Sequence, residues 1–254
     1  MNIIDMHAHL FYDRGLEKEK RIILNNIEKY SISETYVSAL SSFFPSEEDV
    51  KALNASVLSF VLEEPKYIKG YVYVSPEHKN ALYVLRQGIE EQKMIGAKIW
   101  VSEYCDAQSV NILAERLIEY KLPFLVHAYK KSTEQCAKES TAINVRNLAM
   151  RYPELKIIMA HVDGNCYHGV PLIKNLPNVW VDVSGLTARA GEVEYAVENL
   201  GDRRVLFGSD ASGCSFAIPY GKVLEACISE SSRRKILCEN AQRLFDGRLG
   251  VGEY

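Results

Sequence analysis

No apolar run in this 254-residue chain approaches the ~18 residues needed to cross a bilayer, so a membrane-spanning protein is not expected. No block of Lys and Arg stands out either. With 30 basic against 33 acidic residues the net charge is −3, and the footprint of a nucleic-acid binder is missing. None of the six cysteines, Cys105, Cys136, Cys166, Cys214, Cys227 and Cys238, forms a Cys-x-x-Cys pair. The chain opens directly on a strand, without a charged n-region or an apolar h-region. Reduced thiols in a cytoplasmic protein are therefore expected, most of them acting as small core residues. There is no long Pro/Gly/Ser linker, low-complexity tract or sequence repeat. A Gly-x-Gly-x-x-Gly after the first strand is also lacking, which argues against a dinucleotide-binding open sheet. No Gly-x-Ser-x-Gly elbow is present, which weakens a serine-nucleophile hydrolase.

What is present is ordinary in bulk, 47% hydrophobic and 25% charged, and long enough for a sizeable core. Short β-branched runs alternate with helical patterns. The strands are expected at Ile3–Leu10, Thr35–Leu40, Ile68–Ser75, Ile95–Val101, Phe124–His127, Leu155–His161, Val179–Ser184 and Val205–Asp210. Between them, Ile22, Ile23, Ile27 and Tyr30 make one helical stripe, and Ser46-Glu47-Glu48-Asp49 reads as a capping box opening a helix that Pro65 ends. Each strand is followed by a helix or a helical connection, in a chain close to the ~250 residues of a (β/α)8 TIM barrel. One α/β barrel domain over residues 1–254 is the expected architecture.

The stretch Ile3-Ile4-Asp5-Met6-His7-Ala8-His9-Leu10 organises the rest. Imidazoles two residues apart diverge on a helix but share a face on a strand. Read as a regular strand, Asp5, His7 and His9 line one side and Ile4, Met6 and Ala8 the other. An isolated His-x-His is more often a satisfied core histidine beside a surface one. Here, however, His127, His161 and Asp210 also fall at strand carboxyl ends, and the chain has only six histidines. In a closed parallel barrel those ends meet at one mouth, where active sites lie. Imidazoles with one carboxylate suit zinc, with iron, manganese or nickel as further fits.

These residues resemble the amidohydrolase superfamily, specifically its branch of metal-dependent hydrolases that also holds related decarboxylases. The matching segments are Ile4–Leu10, Val126-His127, Ala160-His161-Val162-Asp163-Gly164, Val205–Asp210 and Glu239-Asn240-Ala241-Gln242-Arg243-Leu244-Phe245. The resemblance implies that His7, His9, His127 and Asp210 are metal ligands. It implies that His161 is a further ligand or a hydrogen-bond donor to substrate. Members with two ions commonly carry a carboxylated lysine or a glutamate on strand four, where this chain has Lys98. A lysine paired inside the barrel with Asp5 or Asp182 is favoured over a bridging one, and one ion over two.

Two catalytic outcomes follow. In the leading one, a metal-activated water hydrolyses a C–N or C–O bond next to a carbonyl of a small-molecule amide, ester or lactone, with Asp210 as general base then acid and His161 beside the oxyanion. In the alternative, the site is a non-oxidative decarboxylase of a small, aromatic carboxylic acid, with Arg14, Lys130 or Arg189 as a loop cation and Phe11, Tyr12, Trp100 and Tyr129 as lining. A TatD-like DNase fits less well, because Lys98 replaces an acidic residue. A non-catalytic barrel scaffold predicts broken metal sets, and all five positions are intact. His78 reads as a surface residue, and His168 as surface or substrate contact. Neither nucleic acid nor membrane is expected as a partner, and a homodimer is left open.

Overall fold

The apolar runs of the sequence become strands that lie side by side in chain order. In the computed structural model, which describes residues 2–187 and 189–245, they are β1 (Ile3–Phe11), β2 (Ile32–Leu40), β3 (Ile68–Gly70), β4 (Val72–Tyr73), β5 (Ala97–Ile99), β6 (Phe124–Val126), β7 (Ile157–Met159), β8 (Val179–Asp182) and β9 (Val205–Leu206). Part of the expected span 1–254 thus lies outside the described residues. Every pairing is parallel, in the orders β1-β2-β3 and β4 through β9. β3 and β4 are one expected strand interrupted at Tyr71, whose N–H donates to the Val37 carbonyl at 2.8 Å and so keeps the sheet continuous. The cylinder closes between the last strand and the first: Met6 N–H donates to Phe207 O at 2.9 Å, and Ala8 bridges Ala211. The protein is a (β/α)8 barrel, and closure leaves no unpaired sheet edge among the described residues.

Helices fill the connections: α1 (Leu16–Tyr30), α2 (Glu47–Glu63), α3 (Ala81–Arg86), α4 (Asn111–Tyr120), α5 (Ala142–Arg151), α6 (Cys166–Ile173), α7 (Glu192–Leu200), α8 (Ala217–Glu225), α9 (Glu230–Arg234) and α10 (Asn240–Phe245). α2 begins on the expected capping box. Asp49 N–H donates to Ser46 Oγ at 3.1 Å while Ser46 N–H donates back to Asp49 Oδ2 at 2.8 Å, which satisfies two donors of the first turn. Val50, Leu53, Val57 and Phe60 form its buried face.

Two apolar layers result. One lies between strands and helices, and the other inside the cylinder, where Ile4, Met6, Tyr71, Leu125, Ile158 and Leu206 pack with Ala241 and Leu244 of α10. The amino-terminal half of the cylinder is therefore a plugged apolar core, and polar side chains are left to the opposite mouth.

The first strand departs from the expected alternation. Asp5 pairs with Thr35 and Ala8 with Val37, three steps on β1 against two on β2. This bulge reverses the parity midway. Ile4 and Met6 point into the cylinder below it, while above it Ala8 and Leu10 join the outer layer. The regular-strand reading, with Ile4, Met6 and Ala8 on one face opposite Asp5, His7 and His9, is corrected accordingly. His127 and His161 also stand just beyond their ladders. His161 lies in a turn with φ of +62°, followed by Val162 at +45° and Asp163 at +64°.

Candidate metal centre

Above the bulge, His7 and His9 come together rather than merely sharing a face. Their Nε2 atoms are 2.9 Å apart, and Asp210 Oδ1 is 3.4 Å from His9 Nε2 and 3.9 Å from His7 Nε2. Donors around an ion at about 2.0–2.2 Å are separated by roughly 3–3.5 Å, so this triangle has the dimensions of a coordination face. One atom each of His7, His161 and Asp210 also lies within 4.8 Å of the others, which makes His161 the fourth donor of the cluster.

The far nitrogens explain why these lone pairs face inward. His7 Nδ1 lies 3.0 Å from the acceptor Asp182 Oδ2, so its proton sits there and Nε2 is left bare. His9 Nδ1 is hydrogen-bonded to Ser38 Oγ at 2.8 Å. Two basic nitrogens opposed at 2.9 Å suit a shared cation, and the donor chemistry fits a divalent metal. Burial drives the pKa of His7, His9 and His161 well below the usual 6.5, which keeps them in the neutral, ligating form. Burial likewise pushes Asp210 up to about 6, against the opposing hydrogen bond from Cys214 and the charge of Lys98.

His127 stands one step back. Its Nδ1 is 3.2 Å from His161 Nε2, and its Nε2 is 3.0 Å from Glu139 Oε1. His161 Nδ1 meets Ser184 Oγ at 2.8 Å, and Ser184 in turn hydrogen-bonds Asp182 Oδ1. His127 therefore reaches the cluster through His161 and forms with it a second pair of facing nitrogens.

Lys98 does not make the expected internal ion pair. Asp182 is turned to His7 and Ser184, while Asp5 accepts from Ser209 N–H at 2.9 Å and from Ser209 Oγ. The bulge takes Asp5 out of the His-x-His face, which is why it is not available. Lys98 Nζ instead approaches His7 Nε2 at 3.2 Å, inside the site rather than below it. Burial lowers its pKa to about 8, against the attraction of Asp210 and Asp182.

Around the mouth, Phe11 lies edge-on to His9 at 5.9 Å, and Arg14 stacks over Phe11 at 4.3 Å. Tyr129 runs parallel to His127 at 6.2 Å and edge-on to His161 at 5.7 Å. Trp100 packs against Phe43, and Tyr12 is exposed. Arg189 donates to Asn165 Oδ1, and Lys130 is exposed. His168 pairs with Asp163 Oδ2 at 2.5 Å, and His78 is half-buried beside Glu77. All six cysteines are free, but only Cys105, Cys166 and Cys238 are buried. Cys214 instead donates to Asp210 Oδ2 at 3.1 Å. Sequence reasoning missed Ser38, Ser184 and Glu139. The one signal for Glu139 was an unusually long segment between β6 and α5.

The chain matches the amidohydrolase family over residues 4–247. No curated protein matches it in sequence. Among solved structures it is similar to 2,6-dihydroxybenzoate decarboxylase from Rhizobium, with 16% identity and a TM-score of 0.76 over 96% of this chain and 98% of that one. It is also similar to a dihydroxybenzoic acid decarboxylase from Polaromonas sp. JS666, solved with bound manganese and the inhibitor 2-nitroresorcinol (18% identity, TM-score 0.77, 96% and 97% covered). A third is 5-carboxyvanillate decarboxylase from Sphingomonas paucimobilis (14% identity, TM-score 0.75, 96% and 98% covered).

Proposed function

The chain belongs to the amidohydrolase family, whose fold is that of metal-dependent enzymes, and from that premise we propose that it is a non-oxidative decarboxylase of a small aromatic carboxylic acid. The observation that carries this reading is Lys98. It is fully buried, 3.2 Å from His7 Nε2, and no carboxylate of the described residues lies within ion-pairing distance. A buried cation without a partner is costly, and an anionic group of the substrate offsets that cost. The aromatic acids in the names of the structural relatives support the same substrate class.

A divalent ion held by His7, His9, His161 and Asp210, with His127 behind them, would supply a Lewis acid that anchors a substrate carboxylate or neighbouring hydroxyl. Zinc is the ion expected from the donors, and manganese is the ion named for one relative. Lys98 holds the negative charge of the substrate against the His7 side of the site. Tyr129 offers a ring face beside His127 and His161 for an aromatic ring. As the bond to the carboxylate carbon breaks, CO2 departs and its electron pair stays on the ring carbon. Asp210 delivers the proton that this carbon takes up. Its side chain is 18% exposed, which lets it exchange that proton with solvent.

Hydrolysis by the same residues, with Asp210 taking a proton from water, is the second reading. It is favoured by one observation, the facing pair of His127 Nδ1 and His161 Nε2, which provides donors for a second ion. The two readings separate in one experiment. The purified chain is assayed for metal content, then offered hydroxylated benzoates, amides and lactones with zinc or manganese. CO2 release from a benzoate is expected. Hydrolysis without CO2, with two ions per chain, would replace the decarboxylase by the hydrolase. A chain empty of metal after loading would leave a scaffold.

A further inference from the structure

Glu139 has no place in the chemistry above, yet it is among the most tightly held side chains near the mouth. It lies in the segment between β6 and α5 and is 4% exposed. One oxygen, Oε1, faces His127 Nε2 at 3.0 Å. The other, Oε2, accepts from Gln135 Nε2 at 2.7 Å, Lys131 Nζ at 2.9 Å and Cys136 N–H at 3.2 Å. The segment is itself pinned. Tyr129 N–H donates to Ser140 O and Cys105 N–H to Ser140 Oγ, both at 2.9 Å, while Gln135 Nε2 also donates to Tyr129 O. With three donors on Oε2, one of them the Lys131 ammonium, and the His127 ring on Oε1, the carboxyl is held as the ionised acceptor.

An ionised carboxylate can only accept, so it admits a single arrangement of the neighbouring ring. His127 must carry its proton on Nε2, and Nδ1 must present its lone pair to His161 Nε2, 3.2 Å away. On His7 the assignment is the reverse, because Asp182 holds Nδ1. Two buried carboxylates thus fix two imidazoles of the site in opposite tautomers, each with its bare nitrogen turned toward the cluster.

We propose that Glu139 is a positioning residue that locks His127 in the Nε2–H tautomer and so presents Nδ1 to His161 at the edge of the metal centre. The inference rests on the reading of the cluster as a metal site but not on the reaction run there. Outer partners of this kind typically change metal affinity by about 10–100-fold when removed. Lys131, Gln135 and the Cys136 N–H serve to keep the carboxylate ionised and aimed.

The test uses the full chain. Nitrogen-15 NMR of the metal-free wild type is expected to show His127 protonated at Nε2 alone. Glu139→Gln is expected to shift His127 toward a mixture of tautomers and to weaken zinc binding at least ~10-fold in competition with a chelator, with unchanged circular dichroism. Wild-type His127 protonated at Nδ1 overturns the proposal, whether or not the variant folds. So does an E139Q protein that keeps both the wild-type tautomer and zinc affinity within twofold. A wild type that binds no zinc overturns the metal reading instead and leaves the tautomer to judge the clamp.

Discussion

Asp210 joins the cluster through one oxygen and is held in place by the other. Oδ1 points at His9 and His7, and Oδ2 accepts from the Cys214 thiol. Its backbone sits at a φ of +58°, a conformation L-residues adopt only when the surroundings impose it. Asp210→Asn keeps the shape and one acceptor but cannot carry the transferred proton. Turnover should fall at least ~100-fold while metal content stays near that of the wild type, read by steady-state assay and elemental analysis. Near-normal turnover would remove the aspartate from proton transfer. At this scale the sequence singled out His7, His9, His127, His161 and Asp210 as one group, because scarce histidines at strand ends are visible in one dimension. It was mute on Ser38, Ser184 and Glu139. Polar residues in loops and strands follow no periodicity, and each acquires its role only from a partner that folding brings to it, 12 residues away for Glu139 and His127, 29 for Ser38 and His9 and 177 for Ser184 and His7.

The elements that deliver these residues are β1 with its bulge and the ends of β8 and β9. The extra residue of β1 lets Met6 fill the apolar interior while His7, its neighbour, turns to the polar mouth. Alternation by itself cannot place adjacent residues on the same side, so the regular-strand reading mistook the partner of the histidines. Gly208, just past β9, shows how closely the elements meet. A Cβ there would lie 2.8 Å from His7 Cβ and 3.2 Å from Asp182 Cγ. Gly208→Ala should therefore force His7 off Asp182, destabilise the protein by about 1–3 kcal/mol and weaken metal binding, seen together in thermal unfolding and chelator competition. Wild-type values in both measurements would mean the strand ends have slack that this packing denies them. The capping box of α2 was legible, since its bonds join residues three apart. The second one, Thr141 with Asn144 opening α5, went unread because Asn at the third position is a weaker signal than Glu.

For the molecule as a whole, a metal held by residues of β1 and of the segments after β7 and β9 would tie the closing seam of the barrel together. An ion at 100 times its dissociation constant contributes about 2.7 kcal/mol to the folded state. In a chain of this size that corresponds to a fall in Tm of roughly 5–10 °C when the metal is stripped by chelation and restored on adding it back. No change in Tm would argue that the donors do not share an ion in the folded protein. The sequence by itself determined the barrel, because the alternation of strand and helix and the need to close a parallel sheet act through local pattern and length. It also determined that several histidines and an aspartate gather at one mouth, since strand ends in such a cylinder have nowhere else to go. Only the tertiary structure decided which nitrogen of each imidazole faces inward, that Lys98 joins the site with no carboxylate of the described residues within ion-pairing distance, and that Glu139 stands behind His127. Those outcomes depend on hydrogen-bond partners brought together by folding and on a single inserted residue in β1, and neither leaves a periodic trace in the chain.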